Sequence, residues 1–396
     1  MKLNYNKTLY ACFLGYIIQA IVNNFIPLLF LTFQSNYDIS LSKITLLVTI
    51  NFGLQLVVDL LAISFIDKIG YRTSAVLAHI CSFAGLILLT ILPDLFADPF
   101  TGLLISVMVY AAGGGILEVL ISPIVEACPT DNKEKAMSLL HSFYCWGHVG
   151  VILLSTLFFS LFGISNWKIL ALLWAVIPLV NAIIFTRVPI APLIAENETG
   201  LTLKQLISKR TFWILMLIMI CAGASEQAVS QWASTFAEKG SGISKTLSDL
   251  AGPMMFAILM GTSRAIYGKF GEKINLNRFM IYSTVLCIIS YLIISLSSIP
   301  AFGLIGCALC GLSVGILWPG TFSMAAYSIR GGGTAMYALL ALAGDLGCSS
   351  GPTLVGLVSG AFGDNLKLGI LVAALFPTLL IVGIMMNKKG SSVLEI

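Results

Sequence analysis

Apolar residues run along this chain in twelve long blocks, near 8–33, 40–66, 73–92, 99–127, 136–162, 168–187, 211–237, 246–267, 279–298, 300–329, 333–361 and 367–387. Each is long enough to cross a hydrocarbon core of about 30 Å as an α-helix. The first block exceeds the 7–15 residue core of a secretory signal and ends in Phe30, Leu31 and Phe33 without a small-residue cleavage site, so it reads as a retained helix. The polar turns between blocks are short everywhere except 188–210, where Pro189, Pro192, Glu196, Glu198 and Lys204 form a linker. The pattern therefore predicts an N-terminal six-helix bundle over 1–187, a linker over 188–210 and a C-terminal six-helix bundle over 211–396.

Composition agrees with a bilayer as solvent. Hydrophobic residues make up 58% of the 396 positions and charged residues 10%, against about a quarter charged in soluble domains; the mean hydropathy is +0.97. With the N-terminus inside, 17 of the 22 Lys and Arg residues, Arg264 among them, fall on the cytoplasmic side. The positive-inside rule then puts both termini in the cytoplasm. The net charge of +4 is thus membrane topology, and no basic patch suggests nucleic acid. Nine cysteines are spread singly through the blocks and read as small packing residues. Cys307 and Cys310 form a C-x-x-C, but inside an apolar block without a second pair. Asn197-Glu198-Thr199 matches a glycosylation acceptor, which the charge rule leaves unused in the cytoplasm. No catalytic triad, phosphate-binding Gly loop or metal-ligand cluster stands out, so neither an enzyme nor a cofactor is expected.

The two halves match at a shift of about 200 residues, a spacing that implies a parallel repeat. Gly115-Ile116-Leu117-Glu118 meets Gly315-Ile316-Leu317-Trp318, and Gln19-Ala20-Ile21-Val22-Asn23 meets Gln227-Ala228-Val229-Ser230-Gln231. Phe65 to Gly70 corresponds to Ile266 to Gly271, and Cys145-Trp146-Gly147 to Asp345-Leu346-Gly347.

Polar residues within spans are costly, so their positions report function. Residues four apart share a helix face, which gives the stripes Gln19 and Asn23, with Asn24 beside them, then Asn51, Gln55 and Asp59, and then Glu118, Ser122 and Glu126. On the fifth block the stripe is His141, Tyr144 and His148; on the seventh it is Gln227 and Gln231, with Glu226 and Ser230 alongside. Amides, hydroxyls and the rings of Trp232 and Trp318 suit a neutral ligand rich in hydroxyls, gripped by repeat-related residues of both halves. His79 reads as interhelical glue. No Lys or Arg falls in sequence at the depth of Glu118, Glu226 or Asp345, and a buried carboxyl without a cation takes up a proton and gives it back when water reaches it. These three are the expected proton carriers, although Asp345 also fits a hydrogen-bonded place among Gly344, Gly347 and Ser349.

The turn Asp67-Lys68-Ile69-Gly70-Tyr71-Arg72 resembles the loop signature of the major facilitator superfamily, with Ile63 in place of its leading Gly. Gly113 through Pro123 resembles the fourth-helix pattern G-x-G-x-L-E-x-x-x-N-P of that superfamily's fucose permease (fucose:proton symporter) branch, with Ser122 in place of Asn. His141 through Gly147 and Gly311 through Ser323 resemble its fifth and tenth helices. The resemblance implies an all-α membrane protein with the major facilitator fold, twelve transmembrane helices in two pseudo-symmetric six-helix bundles. It implies uptake of a monosaccharide by alternating access, Glu118 carrying the proton, and a gate at Asp67, Gly70 and Arg72 with Glu126. Where the branch carries an acid in helix one, this chain has Asn23 and Asn24 before Pro27. The expectation is a symporter of a sugar or similar polyhydroxy solute, coupled to a proton or, second, to sodium, working as a monomer in the bacterial inner membrane. An exporter of cationic or amphipathic compounds by proton antiport is the alternative, and a non-transporting membrane sensor a third.

Overall fold

A bilayer offers backbone N–H and C=O groups no partner, so each spanning segment must satisfy them within itself. The computed structural model describes residues 5–129, 133–191, 201, 203–241, 244–270, 274–329 and 333–392, and among these every regular element is helical. Twelve spanning helices follow one another. In the first half they are α1 (Asn6–Tyr37), α2 (Leu41–Ile69), α3 (Tyr71–Leu95), α4 (Pro99–Ala127), α5 (Lys133–Phe162) and α6 (Trp167–Arg187). In the second they are α7 (Arg210–Lys239), α8 (Lys245–Asp249, a π turn Leu250–Met254, then Met255–Phe270), α9 (Leu276–Leu296), α10 (Pro300–Ser328), α11 (Gly333–Ala361) and α12 (Leu366–Asn387). A helical turn at Leu203–Ile207 lies in the expected linker; most of 192–202, including the Asn197 motif, is outside the described residues.

Among the described residues, eleven helices are long and apolar enough on their own to cross a membrane. The exception is α8, whose longest regular segment has 16 residues and carries Arg264. The sequence reading of twelve unbroken runs needs correction at five helices, α12 among them, with regular segments Leu366–Ala373 and Leu375–Ser392. In α1 a 3-10 turn at Ile26–Leu29 surrounds Pro27, and in α8 the π turn contains Pro253. In α10 the regular segments stop at Val314 and resume at Leu317, because Pro319 has no N–H to offer the Gly315 carbonyl four residues back. In α7 the break follows Ser230, at nearly the repeat register of the α1 break.

The chain forms two compact units, Met1–Ala195 with Ser244–Leu250, and Glu196–Ile243 with Ala251–Ile396. In the first, α3 packs on α4 and α6, α1 on α5, and α2 on α4. In the second, α9 packs on α10 and α12, α7 on α11, and α8 on α10, the same pairings six helices on. The opening turn of α8 belongs to the first unit, where the buried Asp249 carboxylate accepts from Thr156 Oγ1 at 3.3 Å and from Lys245 Nζ at 2.8 Å. Within α8 the chain passes from the first unit to the second at the π turn, after Leu250.

Glycines set the close approaches. Gly113, Gly114 and Gly115 step round α4 by about 100° each and meet three neighbours. A Cβ at Gly113 would lie 2.5 Å from Ala78 O on α3, at Gly114 3.1 Å from Val22 on α1, and at Gly115 3.0 Å from the Gln55 backbone on α2. In the second unit Gly347 and Gly351, one helical turn apart, bring α11 against the α7 backbone, where added Cβ atoms would lie 2.0 Å from Ile220 O and 2.4 Å from Ala224 O. Small residues four apart are the usual device for this approach in membranes. Gly70 joins α2 to α3 with φ +84° and ψ 150°, a conformation open only to glycine.

Gly347→Ala forces backbone apart and is expected to destabilise the protein by about 1–3 kcal/mol, whereas Gly150→Ala, with open space at its Cβ, is expected to be neutral. Thermal unfolding in detergent compares the two; equal midpoints would remove the α7–α11 approach as a determinant of stability.

Candidate functional site

Each unit carries its own polar row. In the first, the 100° step of a helix puts Gln19 and Asn23 of α1 on one face, opposite Asn51 and Gln55 of α2, and Gly114 and Gly115 let α4 come close enough to add Glu118. Gln19 Nε2 donates to Gln55 Oε1 and to Glu118 Oε2, both at 3.0 Å. Asn23 Oδ1 accepts from Gln55 Nε2 at 2.9 Å and from Asn51 Nδ2 at 3.2 Å. The four amides are all buried, as is Asp59 one turn further along α2. Two acceptors, Gln19 Oε1 and Asn51 Oδ1, are buried without a hydrogen-bond partner among the described residues. Beside this network, the Tyr16 hydroxyl and Ser122 Oγ lie 3.0 Å apart, and the Tyr16 ring meets His141 edge-on with centroids 5.5 Å apart. His141 is exposed, Tyr144 half-buried and His148 buried.

The second unit repeats the row on α7. Gln231 Nε2 donates to Gln227 Oε1 at 3.0 Å, and Gln227 Nε2 donates to Glu226 Oε1 at 3.4 Å. The other Glu226 oxygen accepts from Arg264 Nη2 of α8 at 3.3 Å. Arg264 Nε also donates to Gly315 O of α10 at 3.2 Å, the carbonyl that Pro319 leaves without its helical donor. This corrects two sequence expectations together. Glu226 has a cation at its own depth, and Arg264 is an internal residue, not part of the positive cytoplasmic edge. Counting loops misplaced it because a long side chain reaches well away from its own Cα.

Several expected ligand residues make structural contacts of their own. Trp232 is fully buried, and its indole N–H donates to Pro352 O at 3.0 Å. Asn24 donates to Ala20 O of its own helix at 2.9 Å, because it lies a quarter-turn from the Asn23 face. Trp318 is half-buried over Gly344, where an added Cβ would fall 2.1 Å from its ring. Asp345 is buried on α11, one residue beyond that contact. His79 bridges Ala75 O at 2.6 Å and Asn181 Nδ2 at 2.7 Å, the glue role expected of it.

At the expected gate, Arg72 donates to Phe185 O at 2.7 Å and to Val188 O at 2.8 Å, carbonyls at the C-terminal end of α6. A cation there complements the helix dipole, so Arg72 ties α3 to α6. The side chains of Asp67 and Glu126 are outside the described residues. All nine cysteines are free, and all but Cys81 and Cys348 are buried; Cys128, just past the end of α4, has its thiol pushed up by burial to about 11.

No curated protein sequence matches the chain. Among solved structures, the fold is similar to a bacterial homologue of the human lysosomal transporter Spinster, at TM-score 0.75 and 14% identity over 98% of both chains. It is similar also to a D-xylose–proton symporter, at TM-score 0.77 and 13% identity over 94% of this chain and 97% of that one. The fucose:proton symporter of E. coli aligns at TM-score 0.66 and 16% identity, over 96% of this chain and 98% of that one. At such identities these likenesses describe the fold. The sequence model of the Major Facilitator Superfamily matches residues 11–352, and with twelve helices paired alike in both units and a polar row in each, this chain is a transporter of that family.

Proposed function

We propose that the protein imports a sugar or similar polyhydroxy solute by proton symport, with Glu118 as the coupling acid and the amide rows of the two units as the solute-recognising surfaces. The single observation that carries this is the Glu118–Gln19–Gln55–Asn23–Asn51 network. Amides donate and accept at once, and an interlocked set of them holds each in place, a preorganised match for hydroxyl groups that do the same. The two buried acceptors, Gln19 Oε1 and Asn51 Oδ1, fit hydroxyl donors.

Glu118 is joined to that network through Gln19 Nε2. A proton on the carboxyl changes what Gln19 bonds to and so changes the row that meets the solute. That is the linkage symport requires: proton and solute each alter the free energy of binding the other, by the same amount. The xylose and fucose proton symporters of similar fold and the fourth-helix resemblance support the same reading. An exporter of lipophilic cations would want accessible aromatic faces, and Trp232 is sealed inside its unit. The charge pattern supports both termini in the cytoplasm, and the proposal places the protein in a bacterial inner membrane as a monomer. Asp67, Gly70, Arg72 and Glu126 serve the cytoplasmic gate, Arg72 by fixing α3 to α6.

Asn23→Ala leaves the Gln55 and Asn51 amides without their shared acceptor, and solute binding is expected to weaken by about 1–3 kcal/mol, read by thermal-shift titration against a panel of monosaccharides. Unchanged binding would place solute recognition outside this row. Glu118→Gln keeps an acceptor for Gln19 but fixes the neutral form. In proteoliposomes with an imposed pH gradient this variant is expected to exchange solute at near wild-type rates and to lose accumulation. Accumulation at the wild-type level would transfer the coupling role to another acid.

A further inference from the structure

Arg264 is anchored by something other than its acid. Because Pro319 removes a helical donor, the Gly315 carbonyl is left without its helical partner at the break in α10, and Arg264 Nε takes that acceptor at 3.2 Å. The guanidinium thus has a fixed backbone hold on one side and Glu226 Oε2 at 3.3 Å on the other. The pair is also reachable: 21% of the Arg264 side chain remains exposed against 9% for Glu226. From Glu226 the amide row continues directly, through Gln227 to Gln231. A cation, a displaceable carboxylate and a run of hydroxyl-matching amides therefore lie in one line within the second unit.

We propose that Arg264 is the anchor for a carboxylate on the solute, so that the polyhydroxy solute is a sugar acid, a uronate or an aldonate, and Glu226 is the carboxylate it displaces. This rests on the reading of the protein as a sugar symporter and narrows its substrate class. The charge balance follows from the pair. At rest, one guanidinium and one carboxylate sum to zero. A solute carboxylate entering alone would leave a net negative charge in a poorly solvated place, which is costly. If Glu226 takes one proton from the water that delivers the solute, the site returns to zero. The solute carboxylate then accepts from the guanidinium that Glu226 has released, in the planar geometry that suits an Arg–carboxylate pair. Gln227 and Gln231 are left beside the solute's hydroxyls, and the Gly315 contact keeps Arg264 in place throughout. On release the steps reverse: the solute leaves with its carboxylate, Glu226 returns its proton to water and pairs again with Arg264.

The test titrates purified full-length protein with D-glucuronate, D-galacturonate and D-gluconate against D-glucose and D-galactose, by calorimetry and thermal shift. At least one acid is expected to bind tenfold or more tightly than its matching aldose. Arg264→Gln is expected to lose that preference. Arg264→Lys, which keeps the charge without the planar fork, is expected to bind the acid about tenfold more weakly while folding as the wild type does, which covers the case in which Arg264→Gln does not fold. Glu226→Gln, a neutral stand-in for the protonated acid, is expected to bind the sugar acid at least as tightly as wild type. Equal binding of acids and aldoses by the wild type overturns the proposal and leaves the sugar symporter standing, as does undiminished acid binding by both Arg264 variants. Binding of neither class removes the sugar reading itself, and this one with it.

Discussion

A hydrocarbon core supplies no hydrogen bonds, and every polar group placed there must find its partner in the protein. Most of the chain meets this constraint with unbroken helices. At the break in α10 the departure has an identifiable cause and a replacement partner. Pro319 opens the Gly315 carbonyl, and Arg264 closes it. His79, buried in α3, is met by a backbone carbonyl and by Asn181. Arg72 takes the last carbonyls of α6. The same rule turns a line of amides into a network, since Gln19, Asn23, Asn51 and Gln55 satisfy one another more cheaply than each could alone.

Such networks require helices to approach closely, and that depends on residues with no side chain. Gly113, Gly114 and Gly115 bring three different helices to α4, so that Glu118, three residues after Gly115 on that helix, lies within reach of Gln19. Gly347 and Gly351 do the same for α11 against α7, the helix that carries the second row. The chemistry of each row is thus set by backbone spacing fixed several residues away. A methyl group in the wrong place would separate partners whose hydrogen bonds are now about 3 Å long.

Much of this was legible in the sequence. Block length and composition gave the membrane class, the spacing of Gln19 with Asn23 and of Asn51 with Gln55 gave the polar face of each helix, and the Gly115–Glu118 and Gly315–Trp318 match gave the repeat. What was not legible depends on direction and reach. Asn24 lies next to Asn23 but a quarter-turn away, and Trp232 looks like a ligand ring until its indole is found bonded to Pro352 O. Arg264 sits in the sequence only six residues from the end of α8, so a rule that counts loop charges assigns it to the surface. One signal was available: Pro319 announces an unsatisfied Gly315 carbonyl, and an unsatisfied carbonyl inside a bilayer calls for a donor.

The two units, alike in how their helices pair, diverge in how they place charge. The first carries Glu118 on α4, bonded to the Gln19 amide, and Asp59 on α2. The repeat mate on α10 is Trp318, packed over Gly344, and the second unit carries Glu226 on α7, paired with Arg264, and Asp345 on α11. An acid bonded to amides keeps a simple choice between protonated and ionised forms, because no cation fixes its charge in that contact. An acid paired with a guanidinium changes charge only when something else takes the cation's other half. On the reading proposed above, the first unit would respond to protons, and the second to a proton and an anion together.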